Sequence, residues 1–534
     1  MKTVSFIASA LLLTACGTTE VADPNCDPIR INQVGYYTNQ IKTAAIEAEG
    51  QSDNYKLLDA TGKVVWEGPA ARTNQSPWCE KQRAIVDFSQ VTEPGKYTLV
   101  AGPYSKEVSI AERPLHNLAI AAMKSFYYQR TGVELPEQYA GKWSRPAAHP
   151  DTNVMVHPSA ASKDRPEGTI ISSPAGWYDA GDFNKYIVNS GFTIGEILTI
   201  YQLCPDYFAS LNLNIPESGD ATPDVLDEIM FNLKWMLTMQ DPADGGVYHK
   251  LTTPNFESFV MPADCSQQRY VVQKGTGATL DFVATMAMAS RIYAQYPEYA
   301  DFAKEAKEAA IKAWKWAKSH PSVIYSQSAI NEKYEPKVNT GEYGDAEFKD
   351  EFFWAASELY FTTGQRPYLN AAASYAPKEY TLPTWGNVNG LGILAWLVQS
   401  TYGFSEDADI LGNRYTNKVL EYCDGLLARV ESSCYDSPYG NQPQDFGWGC
   451  LAESGCGQGI SLLFAYRMTS DVKYLQGALK CADYLLGRNA TGYCYVTGFG
   501  QKPSMNPHQR ISFADGIEDP LPGFLVGGPN AGQQ

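Results

Sequence analysis

The spacing of apolar positions changes once along this chain, and the change divides it in two. From Ile29 to about Ile110 the apolar residues come in short runs. Examples are Ile29-Arg30-Ile31, Lys42-Thr43-Ala44-Ala45-Ile46, Tyr55-Lys56-Leu57-Leu58, Lys63-Val64-Val65-Trp66, Arg83-Ala84-Ile85-Val86-Asp87-Phe88 and Gly95-Lys96-Tyr97-Thr98-Leu99-Val100. Turn residues separate them, so they read as strands. Roughly 80 to 90 residues of such runs suit a small β-sandwich of about immunoglobulin size. At Pro114 the period lengthens: Leu115 to Arg130 carries apolar residues at helical spacing and stops at Thr131-Gly132, a favourable helix ending. Further helices are predicted from Val225 to Gln240, Thr279 to Tyr296, Phe302 to Ser319, Asp350 to Phe361, Pro367 to Tyr375, Gly390 to Ser400, Tyr415 to Glu431, Gly457 to Met468 and Lys473 to Leu486. Tyr360, Thr363, Tyr368, Leu369 and Ala372 recur in the same spacing as Tyr466, Thr469, Tyr474, Leu475 and Ala478. Each copy reads as a helix end, a polar turn and a Tyr-Leu opening the next helix, and repeated α-hairpins stack into solenoids or closed rings. The predicted fold class is therefore mainly α, an α/α barrel of the six-hairpin toroid type behind a small immunoglobulin-like β-sandwich, with long loops gathered into a cleft at one end.

The first residues follow a different pattern. Lys2 precedes an apolar run from Val4 to Leu13, too short to span a bilayer as a mature helix and typical of an export signal. It ends in Leu13-Thr14-Ala15-Cys16-Gly17, which resembles a bacterial lipobox with Cys16 as the lipidated first residue. An ordinary signal peptide that happens to contain a Cys is the alternative; the register of Leu, small residue and Cys favours the lipoprotein. The expectation is an exported protein anchored to a bacterial membrane through its N-terminal lipid, on the periplasmic or surface face of the outer membrane. The domains are then 1–15 signal peptide, 16–28 tether, 29–112 β-sandwich and 113–534 barrel.

Composition narrows the partners. Of 534 residues, 44% are hydrophobic, enough for a large core, and the net charge is −17. That balance argues against nucleic acid, whose phosphates require a basic face, and fits an uncharged substrate. The 11 Trp and 34 Tyr suit stacking on sugar rings as well as core packing. Setting Cys16 aside leaves ten of the 11 cysteines, an even number that permits disulfides in an exported chain. Cys423 with Cys434, and Cys450 with Cys456, are close enough in sequence to pair. No Cys-x-x-Cys stands in the chain, so a cysteine-rich zinc site is not indicated.

Two stretches carry chemistry. In Gly176-Trp177-Tyr178-Asp179-Ala180-Gly181-Asp182-Phe183-Asn184-Lys185-Tyr186, two carboxylates flank Ala-Gly. Gly181 is expected to supply a positive φ for a tight turn that aims Asp179 and Asp182 into one space. Two carboxylates near one water can position it and take its proton; an Asp-rich surface turn or a helix N-cap is the plainer alternative. Near the C-terminus, Tyr495-Val496-Thr497-Gly498-Phe499-Gly500 precedes Asn506-Pro507-His508-Gln509-Arg510. In an extended loop His508 and Arg510 project to the same side, where their donors can hold sugar hydroxyls or orient a carboxylate.

Taken together, and with Pro522-Gly523-Phe524-Leu525-Val526-Gly527-Gly528-Pro529-Asn530 and the opening Ile29-Arg30-Ile31-Asn32-Gln33-Val34-Gly35-Tyr36, these segments resemble glycoside hydrolase family 9, the cellulase family with an α/α-barrel catalytic domain. The resemblance covers nearly the whole mature chain. It implies an inverting mechanism in which Asp182 is the general base, Asp179 positions the water, and His508 and Arg510 bind the sugar near the cleavage point. His249, in Gly245-Gly246-Val247-Tyr248-His249-Lys250, is a further candidate for the cleft, and Trp177, Tyr178 and Trp448 are candidate stacking platforms. An inverting pair of acid and base stands roughly 6.5–9.5 Å apart. The family's general acid is a Glu in an Asn-Glu context beyond the Gly-Gly-Pro-Asn stretch. Asn331-Glu332 lies far upstream and Glu518 matches nothing catalytic, so the chain is expected to stop short of the acid and to be impaired in this form, since general acid catalysis contributes about 10²–10⁴-fold.

Some family members hold zinc with two Cys and two His. Here His149 and His157 stand in the corresponding region, but Thr131 and Ala148 replace the thiolates, so zinc is not expected. Asp220, Asp224, Asp227 and Glu228 are a calcium candidate, with a solvated acidic helix start as the alternative. No cofactor is required. The expected substrate is a β-1,4-glucan or cello-oligosaccharide. An exo-acting glucosidase or glucosaminidase and a non-catalytic glycan-binding lipoprotein are the alternatives, and the sequence leaves the oligomeric state open.

Overall fold

The computed structural model describes residues 27–47, 54–75, 81–447 and 449–530; Cys16 and Trp448 lie outside them. The first part is a two-sheet sandwich of β1 (Ile29–Arg30), β2 (Tyr36–Tyr37), β3 (Thr43–Glu47), β4 (Tyr55–Leu58), β5 (Val64–Gly68), β6 (Arg72–Gln75), β7 (Gln82–Asp87), β8 (Gly95–Ala101) and β9 (Tyr104–Ala111). One sheet has the order β1-β3-β7-β6 and the other β2-β9-β8-β4-β5. Period-two alternation turns Leu57, Val86, Leu99, Val108 and Ile110 inward to a core between them, because successive side chains of a strand face opposite ways.

Behind the sandwich, antiparallel helices form the barrel. Thr276–Tyr293 packs against Ala300–Ser319, Lys349–Thr363 and Ile187–Leu203, and Lys349–Thr363 packs in turn against Arg366–Tyr375 and Asn389–Thr401. The internal repeat has a structural counterpart. Lys349–Thr363 ends on left-handed Gly364, whose N–H returns to Tyr360 O, before Arg366–Tyr375. Gly457–Thr469 ends on left-handed Ser470, whose N–H returns to Tyr466 O, before Val472–Leu485. The long Glu406–Ala428 begins nine residues before the predicted Tyr415 start. Ser405 caps it by accepting from the Ala408 N–H, a cap the apolar pattern does not show.

Ile187–Leu203 falls where no helix is predicted, although it follows the Asp-Ala-Gly-Asp loop directly. It has no side-chain N-cap, carries Gly191 and Gly195, and is apolar around much of its circumference, so neither a cap nor a stripe marks it. Gly195 is needed there: a Cβ would lie 2.6 Å from the Trp354 ring. A small sheet is also absent from the predicted elements. It comprises β10 (Val154–Val156), β11 (Ile170–Ile171), β12 (Lys185–Tyr186), β13 (Lys250–Thr252) and β14 (Tyr270–Val271), in the order β11-β10-β14-β13-β12. Its strands of two or three residues are too short to show a period.

The two parts meet through buried polar groups. Arg488, fully buried, donates to Asp483 Oδ2 at 2.8 Å and to Asp436 O at 3.0 Å, while Asn32 Nδ2 donates to Asp483 Oδ1 at 2.8 Å. Gln33 reaches from the sandwich to Gly492 O at 2.7 Å and accepts from the Lys502 N–H at 2.8 Å. The loops that lead to His508 are thereby fixed from the sandwich side. The expected cysteine pairs do not form: Cys423, Cys450 and Cys456 are free thiols. Among the described residues no helix is long and apolar enough to cross a membrane.

Candidate active site

The Asp179–Asp182 loop is held by backbone bonds at both ends. Tyr178 N–H donates to Gln129 O at 2.9 Å, and Asp179 N–H to Asn184 O at 3.0 Å. The loop then enters β12 and the helix Ile187–Leu203. Gly181 does not have the positive φ expected of it. It is required instead by a close approach, since a Cβ there would sit 1.8 Å from His508 O. Arg510 completes the contact: its backbone N–H and Nη1 both donate to Gly181 O, at 3.1 and 2.7 Å. The two sequence motifs, more than three hundred residues apart, are therefore one structural unit.

The two carboxylates have different surroundings. Asp182 Oδ2 accepts from Asn184 N–H at 3.2 Å, Asn184 Nδ2 at 2.7 Å and Tyr186 OH at 3.1 Å. Asp179 Oδ1 accepts from Asn189 Nδ2 at 2.6 Å and its Oδ2 from Tyr343 OH at 2.9 Å. Burial and the neighbouring Asp182 push Asp179 up to about 7, against the pull of those two donors. Asn189 lies in the helix missed by the apolar pattern, and Tyr343 lies far along the chain with no local signal. Asn184 and Tyr186 stand inside the motif itself.

Asp179, Trp177, Tyr493, Tyr495, His508 and Phe524 line a cleft of about 940 Å³. His508 meets the Phe259 ring edge-on, with centroids 5.5 Å apart. Other candidates offer the cleft no open stacking or binding face, although Trp177 and Tyr178 border it. The ring of Tyr178 is buried, its OH bonded to His149 Nδ1 at 2.7 Å, so it offers no stacking face. His249 is buried behind the cleft, stacked on Tyr325 at 3.9 Å, with Nε2 on Glu342 O at 2.8 Å, and burial lowers it to about 3. Arg510 is buried too, and besides Gly181 it serves Glu257 O at 2.8 Å, so these bonds brace loops. Trp177 borders the cleft but is 5% exposed, packed on Phe126 and donating Nε1 to Glu228 Oε1 at 2.9 Å. Among the described residues lining the cleft, Asp179 is the only acidic one; Glu332 and Glu518 are exposed elsewhere.

The calcium candidates are each engaged by protein donors. Asp220 accepts from Thr222 N–H, Asp224 from Leu213 N–H and Ser218 OH, Asp227 from Tyr299 OH, and Glu228 from Arg130 and Trp177. His149 and His157 bond to Tyr178 OH and to Ser159 and Pro336 O. Among the described residues no group of three or more His, Cys, Asp or Glu is arranged to hold a metal ion.

Comparison with known proteins places this geometry. Residues 25–106 match the cellulase N-terminal ig-like domain, and residues 116–534 match glycosyl hydrolase family 9. The xyloglucan-specific endo-beta-1,4-glucanase BoGH9A of Bacteroides ovatus is 53% identical over 100% of this chain and 92% of its own length. Endoglucanase D of Acetivibrio thermocellus is 32% identical over 94% of this chain and 77% of its own. Among solved structures, a Bacteroides ovatus GH9 protein superposes with a TM-score of 0.92 at 54% identity, over 94% of this chain and 92% of that one. A thermostable endoglucanase of Alicyclobacillus acidocaldarius does so with a TM-score of 0.83 at 30% identity, over 95% and 90%. With the sandwich and the helical barrel both matched in order, the chain belongs to glycosyl hydrolase family 9.

Proposed function

We propose that this glycoside hydrolase cuts internal β-1,4 bonds of a soluble β-glucan, with xyloglucan the leading substrate, and inverts the anomeric carbon. The observation that carries the reading is the Asp179–Asp182 loop, whose Asp179 lines a cleft of about 940 Å³ and whose Gly181 packs against the Pro507–Arg510 loop. Asp182, held by three donors on Oδ2, takes a proton from the attacking water through its other oxygen, the water oxygen bonds the anomeric carbon as the glycosidic C–O bond breaks, and the departing sugar oxygen takes up a proton from water. Asp179 orients that water, and His508 binds the sugar at the cleavage point. Such acid–base chemistry needs no cofactor. The relative from Bacteroides ovatus supports xyloglucan over unbranched cellulose. The register of Leu13, Ala15 and Cys16 supports a lipid anchor that holds the enzyme at the outer membrane.

The test uses xyloglucan, carboxymethylcellulose and cello-oligosaccharides, with product anomers followed by NMR. Endo-action predicts a rapid fall in viscosity before monosaccharide appears, and inversion predicts α-anomers first. Glucose released stepwise from chain ends would assign the exo-acting alternative, and β-anomers first would overturn the role given to Asp182.

A further inference from the structure

We propose that Lys250 is a positioning residue for the hydrolysis, holding residues 340–343 against the aspartate pair and placing a buried positive charge behind Asp182; this rests on the reading of Asp179 and Asp182 as the water-activating pair. Lys250 is the cross-strand partner of Tyr186 in the β12–β13 pairing and is fully buried. Its ammonium has three N–H bonds and finds three acceptors: Gly341 O at 2.6 Å, Gln327 Oε1 at 2.7 Å and Thr340 Oγ1 at 3.0 Å. All three are neutral oxygens, and among the described residues no carboxylate lies within ion-pair distance of it. A buried cation without a paired anion is costly, and an apolar side chain would pack there more cheaply. Its position beside the site gives the charge a use.

Two connections lead from Lys250 to the aspartates. Gly341, whose carbonyl Lys250 holds, donates its N–H to Tyr186 OH at 3.2 Å, and Tyr186 OH donates to Asp182 Oδ2 at 3.1 Å. Two residues on, Tyr343 donates to Asp179 Oδ2 at 2.9 Å and meets the Tyr186 ring edge-on at 4.8 Å. Thr340 also bonds Thr252 Oγ1 at 2.6 Å, and Thr252 bonds Asn184 Oδ1 at 3.2 Å, the amide that serves Asp182. One ammonium thus closes a ring of bonds that fixes Asn184 and Tyr186 on Asp182, and Tyr343 on Asp179. The titratable groups facing it are Tyr186 and Tyr325, over whose rings it sits at 5.6 and 5.4 Å, with Asp182, Glu342 and His249. Burial lowers Lys250 to about 7 against the pull of Asp182 and Glu342, so the charge is present throughout the acid range.

The experiment compares the wild-type chain with Lys250→Met, Lys250→Gln and Asp182→Asn, measuring kcat and KM on soluble xyloglucan from acid to alkaline pH. Removing the positive charge disfavours the ionised base, so the acid limb of kcat/KM moves to higher pH, by up to roughly one unit in both Lys250 variants. Loosening the ring lowers kcat about 10–100-fold with little change in KM. A residue that only filled space would change stability without moving the limb. If Lys250→Met does not fold, Lys250→Gln, which can keep one donor and one acceptor, carries the test, and Thr340→Val in addition is expected to lower kcat while leaving the limb in place. An unshifted acid limb with kcat near wild type in a folded Lys250 variant overturns the proposal. Activity retained by Asp182→Asn overturns the aspartate reading instead, so the two failures are distinct.

Discussion

Gly181→Ala isolates the contact on which the whole site depends. The alanine Cβ would lie 1.8 Å from His508 O, 2.8 Å from His508 C and 3.2 Å from the Gln509 Cα. All three are backbone atoms, so no side-chain rotation relieves the clash. Restoring even a tight contact of 3.0–3.4 Å moves the two loops apart by more than an ångström. The two bonds from Arg510 to Gly181 O, at 3.1 and 2.7 Å, cannot survive that separation. Losing one neutral and one charged hydrogen bond costs roughly 2–4 kcal/mol, and an ångström of misplacement at the reacting groups lowers the rate by about 10²-fold. The expected result is a kcat/KM on xyloglucan reduced by about two orders of magnitude, with a lower melting temperature. Gly425→Ala is the control: it lies inside Glu406–Ala428, and a Cβ there meets nothing within 4 Å. It should keep full activity and gain about 0.5–1 kcal/mol of stability from helix propensity. If Gly181→Ala matches Gly425→Ala in kcat/KM, the contact between the aspartate and histidine loops is not what assembles the site.

Three further substitutions test other parts of the structure. Asp182→Asn removes the proposed base without changing its shape and should lower kcat about 10²–10⁴-fold in initial-rate assays, with near-native circular dichroism. Asp179→Asn tests linkage: burial and Asp182 raise Asp179 to about 7, above its unfolded value, so its protonated form stabilises the fold at low pH and that contribution is lost as pH rises toward and past 7. The variant should therefore gain melting temperature relative to wild type at pH 8 and not at pH 4; equal differences at both would refute the shift. Arg130→Met leaves Glu228, 1% exposed and ion-paired at 3.0 Å, buried without its cation. Urea unfolding should show a loss of about 3–5 kcal/mol.

What the sequence shows and what it hides follow from how far each signal reaches along the chain. The sandwich and the outer hairpins are legible because a half-buried strand or helix must alternate at its own period, and helices such as Ala300–Ser319 bury Ala306, Ala310, Ala313 and Ala317 in one stripe. Inner elements show no stripe because they are covered on every side: Thr276–Tyr293 has almost no exposed position and is predicted all the same, from Thr279 to Tyr296, whereas Ile187–Leu203, with Gly191 and Gly195 inside it and no side-chain N-cap, is not. The aspartate pair is legible because both carboxylates share one tight loop. Tyr343, Asn189 and Lys250 act on that loop from separate elements, and His249 and Tyr178 look like site residues only until burial is known. Gly181 shows the difference most clearly. A glycine between two aspartates predicts a turn, yet the constraint on it comes from a carbonyl in the His508 loop, which the chain supplies more than three hundred residues later. A catalytic motif read from sequence therefore locates the chemistry, while the residues that hold its geometry have to be read from the fold.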